Sequence, residues 1–261
     1  MTKEETEKNA QILALQDDWK KQISTKTKIM FQDDGKEYSP ADYFAGDGFF
    51  PGYFSQNKKI LFVGRETRWI SGQNFVDTSI HFFENDNVNK STFWCKVLYM
   101  LYGIQHEGKV PYSEVPQADT IAKEMVKNND YGFAIMNLSK YSNDSDGGAN
   151  RNVYMMNRFL EDSELEKKNF FLEELSILDP DIIITANLWK CGVKEEYLDL
   201  CFPNNNFKTW KTDESRNIDY GDFELNGKTV KLINTYHFSA YNKSIEDCFY
   251  NPVMKILFPK K

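Results

Sequence analysis

Lys59-Ile60-Leu61-Phe62-Val63-Gly64-Arg65-Glu66-Thr67 (KILFVGRET) is the stretch that decides the fold. Its apolar residues run without polar alternation and stop at a glycine. Such a run must be covered on both faces, which predicts a buried, parallel strand opening into a polar loop. Two more runs share the pattern, at 131–138 (YGFAIMNL) and 181–186 (DIIITA). Around them lie helical patterns at 91–101, 119–127, 152–160 and 164–178, the last ended by Asp179-Pro180, with another helix expected from Leu188 onward. Residues 223–225 and 230–232 flank Asn226-Gly227, a hairpin signal, and the second arm continues to Thr235. Residues 244–257 read as a closing helix.

Strands that alternate with helices give an α/β chain. The expected architecture is three-layer α/β/α with a mostly parallel central sheet. Residues 1–261 form one domain, with 1–58 as an N-terminal helical and irregular extension. In that extension 4–22 reads as a helix with Ile12, Leu13, Leu15 and Trp19 on one side, followed by an irregular stretch with turns at Asp33-Asp34-Gly35 and Asp47-Gly48. A polar loop is expected at 143–150 (NDSDGGAN).

Composition excludes several classes. With 41% hydrophobic and 27% charged residues, the chain is globular rather than disordered. A net charge of −7 argues against nucleic-acid binding by bulk charge and leaves room for a local basic cleft. No apolar run is long enough for a transmembrane helix, and the charged N-terminus has no signal-peptide core. A cytoplasmic protein is expected. The four cysteines and three histidines are scattered, with no C-x-x-C pair, so neither a metal nor another cofactor is expected.

In open α/β sheets ligands bind beyond the carboxyl ends of the strands. The segments that follow the buried strands are therefore the candidate site. They carry Gly64, Arg65, Glu66, Thr67, Arg68 and Trp69, then Asn137, Ser139 and Lys140, then Asn187, then His237 and Ser239. Each has a structural reading beside the functional one. Glu66 between two arginines also suits an ion-pair cluster, Asn137 also suits a strand-end cap, and His237 also suits a packed rim group. Trp69 and Phe75 also suit packing. GRETRW is neither a dinucleotide fingerprint nor a P-loop.

In this order the blocks resemble the uracil-DNA glycosylase superfamily. ILFVGRET (60–67) is similar to its strand-plus-Gly motif, and AIMNLSKY (134–141) to its strand ending in Asn. FFLEELSILDPDIIITANLW (170–189) is similar to its helix–Pro–strand block, and LINTYHFSAYNKS (232–244) to its H-P-S block. The resemblance implies hydrolysis of an N-glycosidic bond of a nucleobase in DNA or a nucleotide. Glu66 would stabilise the sugar cation or orient water, and His237 would donate to the leaving base. Asn137 would read a base edge, and Phe75 or Trp69 would stack on an extruded base. Arg65, Arg68 and Lys140 would hold phosphates. Phe238 stands where that family has Pro, and Arg65 where Gln or Glu is common. The cysteines are not spaced like the iron–sulfur ligands of cluster-bearing members, so no cluster is expected. The rival readings are a non-catalytic nucleobase, nucleotide or nucleic-acid binder on the same fold, and an unrelated α/β hydrolase. The lack of G-x-S-x-G counts against the second rival.

Overall fold

A computed structural model describes residues 1–26, 28–30, 36–144, 153–205, 207–211 and 217–259. The turn at Asp33-Asp34-Gly35 and most of the expected loop at 143–150 lie outside the described residues.

The chain opens with α1 (Lys3–Ser24), started by a capping box in which Thr2 Oγ1 accepts from Glu5 N–H while Glu5 accepts from Thr2 N–H. A small ribbon of β1 (Ile29–Met30) and β2 (Glu37–Tyr38) follows, then β3 (Gly48–Phe49) and β4 (Ile60–Gly64). Next come α2 (Phe75–Asn85), α3 (Thr92–Gln105), α4 (Ala118–Asn128) and β5 (Ala134–Asn137). α5 (Val153–Ser163), α6 (Phe170–Leu178), β6 (Ile182–Ala186) and α7 (Glu195–Cys201) lead to β7 (Lys208–Lys211), β8 (Asn217–Leu225) and β9 (Lys228–Thr235). A π-helical turn, Glu246–Tyr250, runs into α8 (Asn251–Leu257), and Pro252 follows just after that turn.

The main sheet has seven strands in the order β3-β5-β4-β6-β9-β8-β7. The four central strands β5, β4, β6 and β9 are parallel, as their continuous apolar sequences require. The outer strands pair antiparallel: β3 on β5, β8 on β9 and β7 on β8. The sheet is therefore mixed: the expected parallel arrangement holds for the four central strands, and three of the six pairings, at the two sides, are antiparallel. The tight turn at Asn226-Gly227 forces β8 back along β9, and β7 extends that ribbon.

Helices cover both faces. Leu61 and Val63 of β4 point into a core shared with α1, α5, α6 and α7. Ile60 and Phe62, one residue out of step, point into a second core shared with α2, α3, α4 and α8. Burying each such side chain is worth roughly 1.5–3 kcal/mol, so the paired cores hold the layers together.

Several expectations shift. The segment read as an extension is built into the body: Trp19 is fully buried and stacks on Phe170 at 5.3 Å, and β3 joins the sheet. Leu13 is 47% exposed, while Gln16 is buried in its place. The pattern at 164–178 is a helix only from Phe170, because Glu164 takes a left-handed φ of 48° and Asn169 caps the helix start. Beyond Asn187 there is a short 3-10 turn before α7. Helix α2, starting at Phe75, was not anticipated.

Candidate functional site

The carboxyl ends of the parallel strands lie side by side. Gly64 is opposite Asn137, Val63 opposite Thr185, and Ala186 opposite Thr235. Glu66, Asn137, Asn187 and His237 therefore leave one edge of the sheet on adjacent strands. At about 4.8 Å per strand, the β4 and β9 tips are about 10 Å apart.

Gly64 is required by its neighbour. A Cβ on it would lie 2.4 Å from Asn137 Oδ1, so the missing side chain makes room for the Asn137 amide. Asn137 is 4% exposed, and its Nδ2 is buried without a hydrogen-bond partner. Thr67 Oγ1 is buried in the same state on the β4 loop. A buried donor with no protein partner costs about 1–3 kcal/mol unless another acceptor reaches it.

The β4 and β5 loops are zipped together. Ser139 N–H donates to Arg65 O at 2.8 Å and Asn143 N–H to Thr67 O at 2.8 Å. Asn143 Nδ2 donates to Glu66 Oε1 at 3.1 Å, fixing the half-buried carboxylate. Trp69 N–H donates to Asp144 Oδ1 at 2.9 Å, and Ile70 N–H to Ser142 Oγ at 3.2 Å. These bonds hold Trp69 in a left-handed conformation (φ 61°) with its ring 53% exposed. Arg68 is exposed beside it.

Two of the expected phosphate cations are spent inside the protein. Arg65 is 8% exposed and donates through Nε to Ala186 O (3.2 Å) and through Nη2 to Asn187 O (3.3 Å), tying the β4 loop to the β6 tip. Lys140 is fully buried and contacts Asp47 Oδ1 at 2.5 Å and Glu174 Oε2 at 2.8 Å. Sealed between two carboxylates, it cannot reach a phosphate, which corrects that assignment. Gln16 Nε2 completes the cluster by donating to Glu174 Oε1 at 2.6 Å. Burial, reinforced by Glu174 and opposed by Lys140, pushes Asp47 up to about 8, while the two acids push Lys140 up against its own burial. Asp47 Oδ2 also accepts from Asn137 N–H at 2.6 Å, so the cluster supports the strand end that presents the Asn137 amide.

At the β6 tip, Asn187 adopts the left-handed conformation (φ 57°) that asparagine tolerates well. Asn234 Oδ1 accepts from Thr185 Oγ1 (2.8 Å) and Leu188 N–H (3.0 Å), bracing that tip. On the β9 loop, exposed Ser239 contributes its main chain: its N–H donates to His237 Nδ1 at 3.2 Å. An Nδ1 that accepts leaves the neutral ring's proton on Nε2. Phe238, in the place of the proline of the H-P-S pattern, is fully buried against Phe62 (5.8 Å) and Phe93 (5.6 Å). Phe75 is half-buried with its ring stacked on Trp94 at 5.7 Å and set edge-on to Phe93. Tyr241, four residues past His237, is 90% exposed.

No family model, characterised protein or solved structure matches the chain.

The functional reading therefore rests on the site itself. The strand tips carry a carboxylate anchored by Asn143, a buried amide whose Nδ2 has no partner, and an imidazole whose Nδ1 faces Ser239 N–H. Sequence reading did not single out Asn143, Asp47, Asn234 or Tyr241. Asp47 gave a signal only as part of a turn, and Asn143 only as the first residue of a polar stretch. Tyr241 gave one as an aromatic among polar residues in SAYNKS. Among the described residues no group of histidines, cysteines and carboxylates is arranged to hold a metal, and no helix is long and apolar enough to cross a membrane.

Proposed function

We propose that this protein binds a nucleobase at the carboxyl edge of its sheet and hydrolyses the N-glycosidic bond that joins it to a sugar in DNA or a nucleotide, as a divergent uracil-DNA-glycosylase-like protein. The observation that carries the proposal is the Asn137 amide, buried over Gly64 with Nδ2 lacking a partner. A base edge supplies the acceptor that this donor lacks, and Asn137 Oδ1 can accept from an adjacent ring N–H.

In the proposed reaction a water attacks the anomeric carbon while the bond from that carbon to the base nitrogen breaks. The bonding electron pair leaves with the base and spreads onto its carbonyl oxygen, where the His237 Nε2–H donates. Glu66, held through Asn143, stabilises the developing positive charge on the sugar and takes the proton of the attacking water. Exposed Trp69 and Tyr241 are suited to stacking on bases next to the extruded one, at about 1–3 kcal/mol per base.

The test is release of base from uracil-containing single-stranded DNA. Glu66→Gln keeps an acceptor for Asn143, and His237→Ala removes the donor. Each is expected to lower release by about 10²–10⁴-fold, with Tm unchanged. Release at wild-type rates from both variants removes these residues from the chemistry. Tight binding without release by the wild type supports the non-catalytic binder, and neither binding nor release at low salt eliminates both readings.

A further inference from the structure

The loop after β9 is held from below by a lysine. Lys96 lies on α3 and is 1% exposed. Its ammonium donates to the main-chain carbonyl of Ala240 and sits 4.7 Å from the centre of the Phe249 ring. No carboxylate pairs with it among the described residues. The titratable groups whose charge reaches it are Cys248, next to the π-helical Phe249, and its own neighbour Cys95. Ala240 lies between His237 and Tyr241, and its own N–H returns to His237 O at 2.9 Å. The turn that carries the imidazole is thus closed on one side by its own backbone and tied on the other to Lys96. Phe238 is the loop's second anchor, and it is apolar.

We propose that Lys96 is a positioning residue that sets the His237 loop through Ala240, and that the loop is released when its ammonium is lost. This rests on the base-hydrolysis reading only for its effect on activity; the effect on the loop stands apart.

Two physical points support it. Burial pulls the Lys96 ammonium down to about 8, within reach of ordinary solution conditions. A lysine depressed in this way disfavours the fold while it is charged, below about pH 8, and the penalty is relieved as pH rises towards the unfolded value of 10.5. The chain therefore keeps a charge that works against its own stability at a point where its hydrogen bond goes to the His237 loop. Such a trade is characteristic of groups kept for function. Ala240 is only half-buried, so its carbonyl can turn to water once the charge–dipole attraction is gone.

The experiment compares wild type, Lys96→Arg and Lys96→Met between pH 6.5 and 9.5. It follows the His237 ring resonances by NMR, together with base release resolved into kcat and KM. Only His81 and His106 share the histidine spectrum, and His237→Ala assigns the third signal. In wild type the His237 signal is expected to show an inflection near pH 8, with base release falling about tenfold over the next unit. Lys96→Arg keeps its charge and should lose the inflection and the alkaline fall. Lys96→Met should show the released-loop signal at every pH, with kcat reduced and Tm equal to or above wild type. An inflection that survives in both variants, or that is missing from wild type, overturns the proposal. An inflection that depends on Lys96 in a protein with no base release retains the loop proposal and rejects the hydrolysis.

Discussion

Asn137 and Gly64 form a pair in which each residue explains the other. The glycine leaves room for an amide oxygen that occupies the space of its missing side chain, and the amide keeps its buried place because the adjacent strand yields that space. Gly64→Ala places a Cβ 2.4 Å from Asn137 Oδ1, so the amide must rotate or the strands must part. The expected cost is about 1–3 kcal/mol of stability, as for other overpacked sites. A displaced amide misplaces any bound base, and misplacement by about 1 Å lowers turnover by about 10²-fold. Base binding and urea unfolding together check this: a variant that binds as tightly as wild type would show that Asn137 does not contact the base. Asn137 and Gly64 were both legible in the sequence because each ends a continuous apolar run. What was not legible is the relation between them, which depends on register across two strands 73 positions apart in the chain.

Among the elements, the continuous apolar strands were readable because burial on both faces leaves no other choice of residue. Strand β3 was not, since two residues, Gly48–Phe49, carry no period. Helix α2 escaped because its buried face includes Ser79 beside Val76 and Phe83, and polar residues break the apolar stripe. The least legible feature is the buried cluster that fastens α1, the segment before β3, the β5 tip and α6 through Gln16, Asp47, Lys140 and Glu174. Asp47 read only as a turn residue and Lys140 as a candidate phosphate cation, and nothing in the sequence singled out Gln16 or Glu174. Removing the cation from this cluster leaves two buried acids facing each other. Lys140→Met is therefore expected to cost about 3–5 kcal/mol. The cluster also sets a pH dependence. Asp47 rises from an unfolded value near 3.8 to about 8, so the folded state holds an extra proton between those limits. Its contribution is complete below about pH 4 and is lost as pH rises through about 8. Lys140, raised above 10.5, adds no slope in that window. The urea midpoint of wild type should fall between pH 5 and 8, and Asp47→Asn should flatten that fall. A midpoint equally pH-dependent in wild type and variant would place the titration elsewhere.

For the whole molecule, the charge distribution limits how it can hold a nucleic acid. The chain carries −7 overall, and two of the cations nearest the candidate site are committed inside it, Arg65 to carbonyls and Lys140 to carboxylates. Arg68, exposed on the β4 loop, and Lys243, whose ammonium lies 4.9 Å from the Tyr236 ring, follow β4 and β9 in the chain. Each phosphate neutralised on single-stranded DNA contributes about −0.7 to the slope of log K against log salt, so two contacts give about −1.4. Binding should therefore depend on stacking and on the base pocket more than on counterion release, and should survive moderate salt. Arg68→Ala should make the slope shallower by about 0.7 and weaken binding similarly for any sequence, whereas Tyr241→Ala should weaken binding without changing the slope. Fluorescence titrations of labelled oligonucleotides at several salt concentrations measure both quantities. A wild-type slope steeper than about −4 would require about six phosphate contacts, more than this edge can supply, and would move the nucleic-acid surface to another face of the protein.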